Sequence, residues 1–191
     1  MVNFVEEDQF GGVSTFKVDP KGRMSLPVEF RNVLHVRHDK FGKNEVEESV
    51  TGRGGEKKKK AEKDETEEKP QCIVMTRGVR TCHIECYPLD VWNKTKEWLK
   101  NLEDNDETND LRIYILGHRE VCEVDKLGRV LISQELRDFA GIGTGEVMVM
   151  GVGETFRIWS KDTYDRHINV KNMEIRMGEL KSKYAKKREE S

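Results

Sequence analysis

The chain has 191 residues, of which 37% are charged and 35% hydrophobic, and its formal net charge is −2. This length accommodates one or two small domains. The charge balance excludes a protein coated in positive charge, so any nucleic-acid contact has to come from a local basic patch. No apolar run is long enough to cross a membrane, and the four cysteines are typical of reduced thiols in a cytoplasm.

The first elements in chain order are a strand, a tight turn, a second strand and a helix. Residues 10–18 predict a strand, and 19–23 predict a tight turn because glycine tolerates positive φ. Residues 24–26 alternate between apolar and polar, as in a half-buried strand. Residues 27–34 predict a helix, since proline suits its first turn and its apolar residues share one face.

A hairpin and a second helix follow. Residues 72–76 and 81–87 predict its two strands around an Arg-Gly turn. The next helix begins near residue 87 and directs Trp92 and Leu99 towards a core. An acidic connection and a helix over 111–117 come next.

The same plan then returns, which indicates an internal duplication. Val18-Asp-Pro-Lys-Gly-Arg-Met-Ser-Leu-Pro-Val-Glu-Phe-Arg31 is repeated as Val124-Asp-Lys-Leu-Gly-Arg-Val-Leu-Ile-Ser-Gln-Glu-Leu-Arg137. The second copy predicts a strand over 130–132, a helix over 134–140 ended by Gly141, a hairpin of 146–150 and 155–159, and a helix capped by Ser160.

The two copies differ by a charged insertion in the first. Val18 matches Val124 with an offset of 106, whereas Tyr87 matches Trp159 with an offset of 72, so the first copy holds 34 additional residues. Residues 42–70 contain eight Lys or Arg, nine Asp or Glu and no aromatic residue, which predicts a disordered loop. The alternative is a basic arm built on Lys57–Lys60, whose charge neighbouring carboxylates largely cancel.

The repeat and the composition together define a domain organisation. We expect a first domain over 10–93 that carries the insertion, a helical linker over 94–117, a second domain over 118–165 and a helical tail over 166–191. The end of the tail is basic. It is either a solvated helix end, which we favour, or a DNA-binding tail.

The sequence offers little for catalysis. It contains no glycine-rich phosphate loop, nucleophile elbow or His-Glu-x-x-His motif. The nearest approach to a metal site is Cys82-His83-x-x-Cys86, whose spacing does not match a paired Cys-x-x-Cys framework. We therefore predict that the chain is not an enzyme and needs no metal or cofactor. A thiol–metal enzyme remains the least favoured alternative.

The repeated turn is the better candidate site. Short loops rich in Lys and Arg can lie against phosphates, and an Arg fork can pair with guanine. The aspartates in the turns are expected to accept hydrogen bonds from turn amides or to orient the neighbouring arginine. In the alternative interpretation the arginines are surface salt-bridge partners. The candidate DNA-binding residues are Lys17, Asp19, Lys21, Arg23, Asp125, Lys126 and Arg129.

These paired motifs resemble those of the MraZ family. The similarity extends to Cys86-Tyr-Pro-Leu-Asp-Val-Trp92, Leu116-Gly-His118 and Arg137-Asp-Phe-Ala-Gly-Ile142, and covers nearly the whole chain outside the insertion and the two ends. The resemblance implies Asp19, Arg23, Asp125 and Arg129 as residues of the DNA-facing loops. Lys21 lies in the first motif and is a further candidate because of its positive charge. The insertion departs from the family pattern.

The resemblance also implies a fold and a function. The expected fold is α+β, with two tandem AbrB-like (SpoVT/AbrB) swapped-hairpin units of the double-split β-barrel type, short helices and a helical C-terminal tail. The expected function is that of a cytoplasmic, nucleoid-associated repressor of the bacterial division and cell-wall gene cluster. Its partners would be double-stranded promoter DNA with direct repeats and further copies of itself in a ring-like homo-oligomer. The alternative is an antitoxin-like interaction module for which DNA binding is secondary.

Overall fold

A computed structural model describes residues 8–41, 71–168 and 170–189 of the chain. The first part contains β1 (Val13–Lys17), β2 (Arg23–Ser25), α1 (Val28–Phe41), β3 (Cys72–Arg77), β4 (Ile84–Pro88) and α2 (Leu89–Lys100). The second contains α3 (Asp106–Gly117), β5 (Glu120–Glu123), β6 (Arg129–Leu131), α4 (Gln134–Ala140), β7 (Glu146–Gly151), β8 (Phe156–Ser160), α5 (Lys161–His167) and α6 (Val170–Glu189). The predicted insertion at 42–70 lies outside the described residues.

The strands form a six-stranded sheet and a separate two-stranded ribbon. The sheet has the order β1-β7-β8-β4-β3-β5, the ribbon consists of β2 and β6, and every pairing is antiparallel. The first strand of each copy pairs with the hairpin of the other, because β1 lies beside β7 and β5 beside β3. Among the described residues the sheet is open, with β1 and β5 at its edges. The predicted α+β class is confirmed.

The ribbon packs on one face of the sheet, which we call the inner face. Met24 of β2 and Val130 of β6 belong to the same buried core as Ile84 of β4 and Ile158 of β8. The core also holds three phenylalanines whose ring centroids lie 5.1–5.3 Å apart, Phe10, Phe30 and Phe156. Burial of these apolar side chains against the sheet holds the ribbon in place.

The opposite, outer face of the sheet carries a smaller core. Successive residues of a strand point to opposite faces, so Val74 points away from the inner core that its neighbours join. Val74 packs with Trp92 and Leu99 of α2 and with Ile115 of α3. The predicted core positions of Trp92 and Leu99 are therefore confirmed.

Local sequence accounts for the termini of several helices. Ser133 caps α4 by accepting a hydrogen bond from the backbone N–H of Leu136 at 3.2 Å, and Gly141 ends the helix at a φ of 64°. Ser160 caps α5 in the same way through the N–H of Thr163 at 3.3 Å. These boundaries agree with those predicted.

Other boundaries differ from the predictions for tertiary reasons. Helix α1 continues to Phe41 because Arg37 is buried against α2, where its Nε and Nη2 atoms donate to the two carboxylate oxygens of Asp90 at 3.2 and 2.6 Å. Helix α3 begins at Asp106, after a capping box between Asn105 and Thr108. Strand β5 was not predicted.

Candidate nucleic-acid interface

The first repeated turn is organised by Asp19. Its backbone carbonyl accepts the N–H of Gly22 at 2.9 Å, and its own N–H donates to the carbonyl of Arg23 at 2.9 Å. Its Oδ1 atom accepts the backbone N–H groups of Lys21 and Arg23 at 2.8 and 2.9 Å, and its Oδ2 accepts the Nε–H of Arg23 at 2.8 Å. Gly22 adopts a φ of 85°, which only glycine adopts at little cost.

The second turn repeats this geometry. Asp125 Oδ1 accepts the N–H groups of Leu127 and Arg129, both at 2.9 Å, and Oδ2 accepts the Nε–H of Arg129 at 2.8 Å. Gly128 has a φ of 72° and donates its N–H to the carbonyl of Asp125 at 2.8 Å. Both aspartates thus accept turn amides and orient the next arginine, as the sequence predicted.

Both turn carboxylates are ionised near neutral pH. The backbone N–H of Arg23, together with its side chain, lowers the pKa of Asp19 below its usual value. The side chain of Arg129, followed by its backbone N–H, lowers the pKa of Asp125. Each turn therefore carries a charge-assisted Asp–Arg pair at the protein surface. Such exposed pairs stabilise a fold only slightly, so their main effect is to orient the guanidinium group.

The ribbon brings the two arginines onto one exposed face. In the β2–β6 register Arg23 lies opposite Leu131, and Ser25 lies opposite Arg129. The intervening residues of both strands face the inner core. Arg23 and Arg129 are therefore diagonal neighbours, and such residues lie about 7–8 Å apart in an antiparallel pair. The two turns form one surface with approximate twofold symmetry, which we call the arginine ribbon (residues 19–25 and 125–131).

Each turn is completed by residues of the other copy. The carbonyl of Gly22 accepts the N–H of Ile132 at 2.8 Å, and a Cβ placed on Gly22 would lie 2.6 Å from the Ile132 oxygen and 3.0 Å from Arg137 Nε. Arg137 Nε donates to the backbone carbonyl of Ile132 at 3.2 Å. Gly22 is thus required for its positive φ and for this close approach.

Gly128 makes the equivalent contact in the second turn. Its carbonyl accepts the N–H of Leu26 at 2.9 Å, and the side chain of Arg31 lies directly against its Cα. Arg31 Nε is buried and has no hydrogen-bond partner within the described residues. The repeated arginines Arg31 and Arg137 were not among the predicted site residues. Their recurrence at the end of each motif was the signal available.

The structure separates the predicted lysines into two groups. Lys21 and Lys126 lie in the turns and are exposed, next to the arginines. Lys17 instead ends β1 in the six-stranded sheet, where its register partner is Glu146. Leu127, at the position equivalent to Lys21, is 67% exposed. The two turns therefore carry one lysine each, but at different positions, because Lys126 stands where the first turn has Pro20.

The remaining candidate groups have other surroundings. Cys86 is fully buried and Cys122 nearly so, and burial raises the pKa of both thiols, that of Cys122 to about 12. Within residues 8–41, 71–168 and 170–189 no three His, Cys, Asp or Glu side chains are grouped so as to hold a metal ion. Over the same residues, no helix combines the length and apolarity that a membrane span requires.

The chain is similar to known proteins of one family. The family model described as "MraZ protein, putative antitoxin-like" matches residues 115–177. Proteins named transcriptional regulator MraZ align over most of the chain. The one from Caldicellulosiruptor bescii is 35% identical over 160 residues, which is 83% of this chain and 85% of the relative. The one from Bifidobacterium longum is 29% identical over 84% of this chain and 83% of the relative. The one from Shewanella frigidimarina is 25% identical over 91% and 93%.

The fold and the site define a small α+β protein whose repeated unit contributes one Asp–Arg turn to a shared ribbon. The extent of the similarity to the Caldicellulosiruptor protein identifies the family. The chain belongs to the MraZ family.

Proposed function

We propose that the chain is a DNA-binding transcriptional regulator and that the arginine ribbon is its DNA-contacting surface. The observation that carries the proposal is the pair Arg23 and Arg129, each held by an aspartate and both on one exposed face. A guanidinium oriented in this way can form a bidentate contact with a guanine edge or a phosphate. The names of the relatives support the assignment to transcriptional regulation.

The dimensions of the ribbon suit the major groove. Two strands about 4.8 Å apart, with their side chains, fit a groove about 12 Å wide. Arginines about 7–8 Å apart on the ribbon span roughly two base-pair steps of about 3.4 Å. One ribbon can therefore address two bases close together, while Lys21 and Lys126 reach the flanking phosphates.

One ribbon carries few cations, so useful affinity requires several copies on one duplex. We therefore propose a homo-oligomer, ring-like in form, that binds tandem short G-rich repeats upstream of its own operon. The proposed role is repression of the bacterial division and cell-wall gene cluster, in the cytoplasm at the nucleoid. The exchange of β1 and β5 between the copies supports two AbrB-like swapped-hairpin units, at 10–93 and 118–165.

The test is a titration of the full chain with labelled duplex DNA from upstream of its own operon, measured by fluorescence anisotropy or gel shift. We expect tighter binding than to a scrambled duplex at the same salt concentration. We also expect the observed binding constant to fall as the salt concentration rises, because binding of Lys and Arg to phosphates releases the counterions condensed on the DNA. Equal binding to both duplexes at every salt concentration would overturn the proposal of sequence-specific regulation.

A second candidate is an interaction module of the antitoxin type. The observation that favours it is the apolar surface of α6, where Ile175, Met177 and Leu180 are 52–62% exposed. Such a helix could pack on a partner protein. Binding of a partner protein that survives an Arg23→Ala/Arg129→Ala double substitution but is lost when residues 170–191 are removed would favour this candidate.

A further inference from the structure

The outer face of the sheet contains a cavity of about 990 Å³ at the junction of the two halves. Its floor is the central β4–β8 pair, where Glu85 and Arg157 are register partners. Residues 79–81 form one wall. The other is one face of α6, because Arg176, Glu179, Leu180 and Lys183 follow helical spacing. The volume lies in the range of about 300–1,000 Å³ that small-molecule sites occupy.

The cavity is separated from the arginine ribbon by the sheet itself. Ile84 and Ile158, which flank Glu85 and Arg157 along their strands, point into the inner core on which the ribbon packs. Strand residues alternate between faces, so Glu85 and Arg157 point the opposite way. A duplex lying on the ribbon therefore does not reach the cavity. Any ligand of the cavity is therefore a different molecule from DNA bound to the ribbon.

The carboxylate in the floor of the cavity is already paired with hydrogen-bond donors from the protein. Glu85 accepts hydrogen bonds from His83 Nε2 at 2.9 Å, Thr155 Oγ1 at 3.0 Å and Arg157 Nε at 2.8 Å. Burial alone raises the pKa of Glu85, but His83, Arg157 and Thr155 together lower it below its usual value. The carboxylate is therefore ionised and fully paired. It does not repel an anion as an isolated carboxylate would.

The cations around it are in surplus. Arg80, Arg157, Arg176 and Lys183 line the cavity against only two carboxylates, those of Glu85 and Glu179, which leaves two unmatched positive charges. Among the described residues Arg80, Arg176 and Lys183 form no ion pair. This local excess stands in a chain whose net charge is −2. A positive enclave of this kind attracts small anions.

The same positive charges act on a neighbouring histidine, His167. His167 stacks on Trp159 with ring centroids 5.2 Å apart, and His83 also stacks on Trp159, at 4.4 Å. Burial first, and then the charges of Arg176 and other basic neighbours, lower the pKa of His167. His83 and His167 line the cavity with their rings, while Tyr87 and Leu180 add further apolar surface.

We propose that this cavity binds a small organic phosphate, with Arg80, Arg176 and Lys183 holding the phosphate group. A phosphate monoester carries about −1.5 to −2 charges at pH 7, which matches the surplus of two positive charges. Arginine forks suit phosphate geometry, and the aromatic and apolar surface accommodates the organic part. The proposal is independent of DNA binding, since the site lies on the other face of the sheet.

The experiment is isothermal titration calorimetry of the full chain with inorganic phosphate, ribose 5-phosphate and adenosine 5′-monophosphate. Ribose and adenosine are the uncharged counterparts. We expect saturable binding of at least one phosphate ester, tighter than inorganic phosphate, and none of ribose or adenosine. Absence of saturable binding by both esters overturns the proposal.

Two matched variants separate a built site from general attraction. Lys183→Gln removes a cavity cation, whereas Lys181→Gln removes the same charge from an exposed position of the same helix outside the cavity. We expect Lys183→Gln and Arg176→Gln each to weaken binding about tenfold or more, and Lys181→Gln to leave it nearly unchanged. Equal loss in all three would show non-specific attraction and overturn the proposal. So would a loss of duplex DNA affinity in Lys183→Gln, with ester binding intact. Circular dichroism checks that each variant is folded.

Discussion

Asp19 holds Arg23 with both carboxylate oxygens, since Oδ1 accepts its backbone N–H at 2.9 Å and Oδ2 accepts its Nε–H at 2.8 Å. A negatively charged residue of the arginine ribbon thereby orients a positively charged one. Within the described residues the terminal amino groups of Arg23 form no hydrogen bond or ion pair. They remain available for two parallel hydrogen bonds to a base or a phosphate.

This relationship predicts the effect of Asp19→Asn. Asparagine can still accept the turn amides through its oxygen, but its NH₂ group cannot accept the Nε–H of Arg23. We expect operator affinity to fall several-fold although the substitution removes a negative charge. The measurement is anisotropy at matched salt, with Asp110→Asn on the exposed side of α3 as the charge control. Tighter binding by Asp19→Asn would show that the aspartate merely repels DNA.

Arg23→Ala tests the ribbon directly. Loss of one bidentate base contact costs about 1–3 kcal/mol per engaged subunit, and several subunits on one duplex multiply the loss. Arg129→Ala is expected to cost less, because Nη2 of Arg129 lies 2.7 Å from Asp125 Oδ2 and so leaves fewer free donors than Arg23, whose guanidinium pairs with Asp19 through Nε. The control is Arg166→Ala on α5, which removes the same charge away from the ribbon. Affinities unchanged from the unsubstituted chain would remove both arginines from the site.

The operator itself provides a third prediction. Copies of one ribbon along an assembly can meet the same side of B-DNA only about once per turn, or roughly every 10–10.5 bp. Inserting about five base pairs between two repeats should lower affinity towards that of the repeats left in phase. Inserting about ten should restore part of it. Binding indifferent to the half-turn insertion would contradict an in-phase assembly.

Much of the local structure was predictable because it is determined by residues that lie close together in the sequence. The turns at Gly22 and Gly128, the cap of α4 at Ser133 and its end at Gly141 all follow from residues within a few positions. The hairpin strands followed from their alternation and apolar content. These features depend on the chain's own neighbours, so one sequence suffices to predict them.

The features that were missed depend on distant partners. Strand β5 has few apolar residues and forms because its backbone pairs with β3. The arginine ribbon arises from pairing across the two copies, which no local pattern specifies. The roles of Arg31 and Arg137 likewise appear only when each is placed against a glycine of the other copy.

That cross-copy contact leads to a prediction about the two turn glycines. In Gly22→Ala the new Cβ would lie 2.6 Å from the backbone oxygen of Ile132, which cannot move without disturbing the ribbon. In Gly128→Ala it would instead meet the side chain of Arg31, which can rotate away. Both also suffer strain at positive φ. We expect both substitutions to lower the free energy of unfolding, Gly22→Ala by more.

Chemical denaturation at fixed protein concentration shows which of the two substitutions lowers the free energy of unfolding more. Gly143→Ala is the matched control, because a Cβ there has no heavy atom within 4 Å and its φ is not positive. Equal losses for Gly22→Ala and Gly128→Ala would contradict the distinction between a backbone and a side-chain obstacle.

The last prediction concerns the acid stability of the β4–β8 junction. In the folded chain His83, Arg157 and Thr155 lower the pKa of Glu85 below its usual value of 4.5. A carboxylate with a lowered pKa contributes stability above its unfolded pKa and loses it as the pH falls through the folded pKa. We expect Glu85→Gln to lower the free energy of unfolding by about 1–3 kcal/mol at pH 7, because hydrogen bonds from charged donors are lost. The difference from the unsubstituted chain should shrink as the pH falls below about 4. Urea unfolding at fixed protein concentration across this range measures it, with Glu97→Gln on the exposed surface of α2 as the control. A difference that persists undiminished at pH 3 would show that the ionisation of Glu85 does not account for its contribution to stability.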